Sequence, residues 1–137
     1  MSKVTFQDFL NKVKQKQESK VKILDLEVSS LGCSLTFTRP SDDELLDYSN
    51  EMANSVTVNA NKEIVDQDMK KMYKASKSLV YSCCNYLKEK ELQEELKPDE
   101  PWDVVEKIFD QKEVLELATD IYKAFANGDI GETIKNL

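Results

Sequence analysis

The chain has no histidine, and its 137 residues include only three glycines, three prolines and three cysteines. The missing histidine excludes the usual Ser-His-Asp and Cys-His arrangements and most transition-metal sites. The glycines stand isolated, so neither a Walker loop nor a dinucleotide-binding loop is present. A zinc site built on three cysteines would need a fourth ligand and a Cys-x-x-Cys spacing, and the chain has neither. The odd cysteine count argues for free thiols, and a disulfide between adjacent Cys83 and Cys84 would be strained. Cys33, Cys83 and Cys84 are all expected to act as small buried hydrophobes. No apolar run approaches the roughly 20 residues of a membrane span. The opening "MSKVTFQDFLNKVKQKQ" lacks the apolar core and cleavage site of a signal peptide, so a cytoplasmic location is expected.

What is present is charge and helical periodicity. Hydrophobic residues make up 40% and charged residues 33%, with a net charge of -7. Residues 1–40 carry seven Lys/Arg against four Asp/Glu, and the remainder twelve against twenty-two, so a +3 end precedes a -10 body. An acidic body repels phosphates, which argues against nucleic acid as a partner. Lys12, Lys14, Lys16 and Lys20 read as the solvated face of a short helix and its exit, or as contacts to an acidic partner. With 26 acidic residues, chance pairs of carboxylates are inevitable, and nothing marks one pair as buried. "DQD" at 66–68 lacks the glycine and closing glutamate of a calcium loop. No catalytic residue, cofactor or metal is expected, and the chain is read as a non-enzyme.

Thr5 and Asp8 mark a helix start, and Phe6, Phe9, Leu10 and Val13 fall on one face over 5–16. A helix this short is marginal alone and must dock on something. In residues 21–38, Leu24, Leu26 and Val28, then Cys33, Leu35 and Phe37, alternate around "SSLG", which predicts a β-hairpin stopped by Arg39-Pro40. Ser41 and Glu44 open a helix with Leu45, Tyr48 and Met52 facing inward. Residues 55–61 read as irregular or briefly extended. From 62 to 96 a long helix is expected, with Val65, Met69, Met72, Ser76, Leu79, Cys83 and Tyr86 as its stripe, widened by Tyr73, Val80 and Leu87.

Pro98 and Pro101 then punctuate a helix-turn-helix joint, with Asp99, Glu100 and Asp103 at the positive end of the second helix. Asp110 and Glu113 have capping-box spacing ahead of a last helix carrying Val114, Leu117, Ala118, Ile121, Tyr122 and Phe125. Gly128 and Gly131 are expected to end it. The expected fold is therefore α+β and mostly α-helical, with a short N-terminal helix and antiparallel β-hairpin packed with a helical C-terminal bundle. It forms a single domain, 1–137: a helix-plus-hairpin region (1–40), a helical region (41–127) and a frayed tail (128–137).

Two stretches carry a family resemblance: "TFQDFLNKVKQKQESKVKILDLEVSSLGCSLTFTRPS" and "SLVYSCCNYLKEKELQEELKPDEPWDVVEKIFDQKEVLELATDI". Together they resemble the XkdN-like tail assembly chaperones of bacteriophages and prophages of Gram-positive bacteria. Leu87, Lys90, Glu91, Leu92 and Gln93 match that family's "LKSKELQEAYG" motif. Glu100, Pro101, Asp103, Val104, Val105, Lys107, Ile108 and Phe109 match "EPxDIVDKLF". Glu113, Val114, Leu117 and Ala118 match the final helix. Pro98, Trp102 and Lys112 depart from the pattern, and all three lie at turns.

The resemblance implies a cytoplasmic assembly factor in a bacterial host. It would bind the phage tape measure protein, assist the tail tube protein, and be absent from the mature virion. Trp102, Val105, Phe109, Tyr122 and Phe125 are the candidate protein-binding residues, with Trp102 either a clasp across the joint or a partner anchor. Met69 and Met72 would let a client groove adapt, if they are not plain core. The rival readings are an acidic type III secretion-like export chaperone and a structural tail component.

Overall fold

The computed structural model describes residues 3–135. Its helices are α1 (Phe6–Ser19), α2 (Asp42–Asn54), α3 (Met69–Cys83), α4 (Lys90–Leu96), α5 (Val104–Ile108), α6 (Gln111–Ala126) and α7 (Ile130–Lys135). Two antiparallel hairpins join β1 (Ile23–Val28) to β2 (Cys33–Thr38), and β3 (Val56–Val58) to β4 (Ile64–Gln67). The fold is mostly helical α+β, as the alternating and 3.6-residue periods require.

The first hairpin pairs Leu24 with Phe37, Leu26 with Leu35 and Val28 with Cys33, which places the predicted apolar set on one face. Its turn closes with Leu31 N–H donating to Val28 O and Gly32 N–H to Ser29 O. Gly32 takes φ +65, a left-handed angle that glycine reaches without a Cβ clash. Val28 and Phe37 enter the core, but Cys33, at the turn end of the same face, is exposed, contrary to expectation. The turn is held by α6: the Glu113 carboxylate accepts from Ser30 N–H at 3.4 Å and from Ser30 Oγ at 2.6 Å. Glu113 thus serves a tertiary contact, and the expected capping pair with Asp110 does not form, since Asp110 makes no side-chain cap bond.

Central to the core is α3, which packs on α2 and α6. Ser41 caps α2, its Oγ accepting from Glu44 N–H, and Leu45, Tyr48 and Met52 are buried as predicted. All six predicted apolar positions of α6 are buried. At its end Asn127, not Gly128, takes the left-handed conformation, with φ 54.

The expected long helix over 62–96 is broken at both ends. Residues 64–67 form β4, because Asn59 Oδ1 accepts from Asn61 N–H and Glu63 N–H and folds the chain back onto β3. Val65 and Met69 are exposed in consequence, and Met72 is half-buried. At the other end Cys84 is extended, with φ -114 and ψ 107. The freed carbonyls find side-chain donors: Thr38 Oγ1 to Cys83 O at 3.4 Å, and Lys88 Nζ to Ser82 O at 2.9 Å. A 3-10 turn over Asn85–Lys88 and α4 follow, leaving Tyr86 exposed while Leu87 is buried.

The tail is not frayed over its described part. Ile130 and Ile134, four apart on α7, are buried, and α7 lies against α2 and α6. Residues 136–137 of the predicted tail lie outside the described residues.

One element stands apart. Thr5 caps α1 as predicted, its Oγ1 accepting from Asp8 N–H. Yet α1 buries none of its side chains, and Phe6, Phe9 and Val13 are exposed. The hairpin packs with the bundle; the helix before it does not.

Candidate protein-binding groove

The five side chains expected to bind a partner separate sharply. Val105, Phe109, Tyr122 and Phe125 are core residues, so a solvent-side partner does not reach them. Their positions explain why. The short helix α5 packs among α3, α4 and α6, burying Val105, and Phe109 at its end is buried as well. Tyr122 lies against Tyr48 with ring centroids 5.3 Å apart, and the Arg39 guanidinium sits 5.9 Å from the Phe125 ring centre. Trp102 alone of the five is open to solvent, at 42% exposure.

Trp102 lies in a joint built from charge and backbone pairing. Lys97 ends α4 in a left-handed conformation just before Pro98, and a 3-10 turn starts at Pro101. Asp103 N–H donates to Glu100 O, and Glu100 N–H donates to the Asp103 carboxylate at 3.3 Å. Gln93 Nε2 spans the joint, donating to Leu87 O at 2.8 Å and Pro101 O at 3.0 Å. Lys77 of α3 donates to Asp103 at 2.6 Å and to Glu106 at 3.2 Å. The Lys77 hydrogen bond holds Asp103 below the usual carboxylate range. Burial pulls the Lys77 ammonium down, but its bonds to Asp103 and Glu106 outweigh that and raise it. Asp103 and Glu106 therefore fix α5 and the turn before it to α3. They form a structural tie.

The two buried thiols are equally quiet. Burial pushes Cys83 up to about 12 and raises Cys84, so both stay protonated at neutral pH. Among the described residues, no three His, Cys, Asp or Glu side chains gather as a metal site. No described helix is long and apolar enough to cross a membrane.

A groove of about 550 Å³ lies between α2 and α3. One wall carries Glu44, Asp47 and Glu51 of α2, and the other carries Lys71 and Lys74 of α3. Tyr48, Ala75 and Leu79 form the floor, with Ser78 and Ser82 completing the α3 side. Helical geometry sets this pattern: 44, 47 and 51 follow the i, i+3, i+7 row beside the inward row of Leu45, Tyr48 and Met52. Neither the three carboxylates nor the two lysines close an ion pair among the described residues. At Lys71 the groove meets a second depression, lined in part by Val56 and exposed Met69.

Beneath the floor, the Tyr48 hydroxyl comes near Ser76 and Thr119 without the geometry of a hydrogen bond, and burial pushes its pKa up to about 12. Ser76 Oγ is likewise buried and unpaired.

Sequence reasoning passed over this groove because Glu44, Asp47 and Glu51 look like ordinary solvated acids. The i, i+3, i+7 acidic row bordering an apolar row was its available signal. Comparison with protein-family models, curated proteins and solved structures returned no match.

Proposed function

We propose that this chain is a non-enzymatic tail assembly chaperone of the XkdN-like kind. It works in the cytoplasm of a bacterial host, binds the phage tape measure protein, assists assembly of the tail tube protein and leaves before the virion matures. The α2/α3 groove is the observation that carries this reading. An apolar floor between charged walls suits an amphipathic helix lying along it, and the client that the resemblance implies is a protein of long apolar helices. Met69, exposed at the groove's end, supplies a flexible apolar surface that fits more than one client segment. The acidic body keeps the loaded complex soluble.

Co-expression with the tape measure protein is the direct test. The client's soluble fraction rises and the two proteins co-purify, whereas Lys74→Glu with Ser78→Glu, two exposed positions that turn the lysine wall of the groove acidic, abolishes both effects while leaving the chaperone folded by circular dichroism. If the two proteins neither co-purify nor change each other's solubility, the proposal fails. Presence of the chain in purified virions would assign it to tail structure instead.

A further inference from the structure

The chain carries an amphipathic helix of its own that the described residues leave largely uncovered, with only Leu10 half-buried. Along α1, Phe6, Phe9, Leu10 and Val13 make one stripe, with the Phe6 and Phe9 rings 6.5 Å apart. Phe6 is 75% and Phe9 54% exposed. Residues 1–20 hold five lysines against Asp8 and Glu18, for a net +3, and the other 117 residues net -10. At 100° per residue, Lys12 and Lys16 border the stripe on the Phe9 side. On the Leu10 side the border carries Lys14 and Glu18, which cancel.

The groove has the complementary layout. Its α2 wall is acidic through Glu44, Asp47 and Glu51, and its α3 wall is basic through Lys71 and Lys74. A helix laid stripe-down with Lys12 and Lys16 against the acidic wall turns its neutral Lys14/Glu18 border toward the lysine wall. The reverse orientation sets lysine against lysine, so charge selects one direction. The lined stretches of the walls run from Glu44 to Glu51 and from Lys71 to Ser82, about 12 and 18 Å at 1.5 Å per residue, enough to seat the two turns of α1 that carry Phe6 to Val13. The stems of Lys71 and Lys74 add apolar wall for Leu10, on the opposite border of the stripe.

We infer that α1 of a second copy of this chain occupies the α2/α3 groove, reciprocally, so that the free protein is a twofold dimer with both grooves filled. Reciprocal exchange buries both stripes in one self-complementary interface. The inference rests on the reading of the groove as a helix receptor, and α1 is then the occupant that a client helix displaces.

The test uses the full chain without client. Sedimentation velocity gives a concentration-dependent dimer, and Phe6→Ser with Phe9→Ser weakens it by about tenfold or more, without loss of the monomer's fold because both rings are exposed. Lys12→Glu with Lys16→Glu gives monomer, as does Asp47→Lys with Glu51→Lys. Combining all four changes in one chain restores the dimer. A wild-type monomer at every concentration overturns the inference, as does a dimer indifferent to the phenylalanine changes, or a charge-swapped chain that stays monomeric. Recruitment of monomer to anionic lipid vesicles through α1 also overturns it and assigns the helix to a membrane surface. Client capture by a strictly monomeric chain removes this inference and leaves the chaperone function standing. A dimer without client capture does the opposite.

Discussion

Helices α1 and α6 are similar on paper and opposite in the molecule. Both run about four turns, both present an apolar stripe, and both follow a capping signal. Yet α6 buries six side chains, from Val114 to Phe125, and α1 buries none. The difference lies in what each stripe meets. The α6 stripe faces α3 and the inner face of the first hairpin, where Phe37 and Val28 complete the core. Three residues separate α1 from β1, and α1 packs substantially on no other described element, so its stripe stays open. Amphipathicity says that a face needs cover. It does not say which molecule supplies it.

The contrast breaks first at the core. Phe125→Ala removes a fully buried ring on α6 and costs about 3–5 kcal/mol of unfolding free energy in urea melts. A much smaller loss would mean that α6 is not the core helix it looks to be. Losing the α2 cap comes next: Ser41→Ala removes the acceptor for Glu44 N–H and costs about 1 kcal/mol.

The Lys77–Asp103 tie sharpens the comparison through pH. Asp103 titrates lower in the folded chain than in the unfolded one, so its contribution is complete above the unfolded value of about 3.9 and is lost as pH falls through the depressed folded value. Lys77 is raised, so its contribution is complete below about 10.4 and is lost as pH climbs through the higher folded value. The gap in urea midpoint between wild type and Asp103→Asn is therefore constant at neutral pH and closes in acid below about pH 4. A gap that persists unchanged at pH 2 would show that the pair contributes no charge-dependent stability. Smallest of all is the effect on α1. In dilute protein, Phe6→Ser shifts the unfolding free energy by less than about 0.5 kcal/mol, because the ring touches no core.

The parts legible in the sequence were those governed by neighbours a few residues apart. The Thr5 and Ser41 caps, the hairpin at 23–38, the inward rows of α2 and α6 and the proline-marked joint all appear where their residues place them. Where long-range partners intervened, the reading failed. Cys84 breaks the expected helix because Thr38 and Lys88 take up the carbonyls that further helix would have used. Ile130 and Ile134 order a tail that composition alone leaves loose, since α2 offers them a surface. The candidate binding residues failed for a related reason. A large apolar side chain on a helix looks the same whether it waits for a partner or already has one, and Val105, Phe109, Tyr122 and Phe125 already have theirs.

By itself, then, the sequence determined the fold class, most element starts and the polarity of the two ends, because period, caps and charge act locally. Only the tertiary structure decided which apolar stripes are satisfied and where concave surface is left over. Burial depends on three-dimensional neighbours that no spacing encodes. It moved the expected binding residues inward and left α1 and the α2/α3 groove facing solvent.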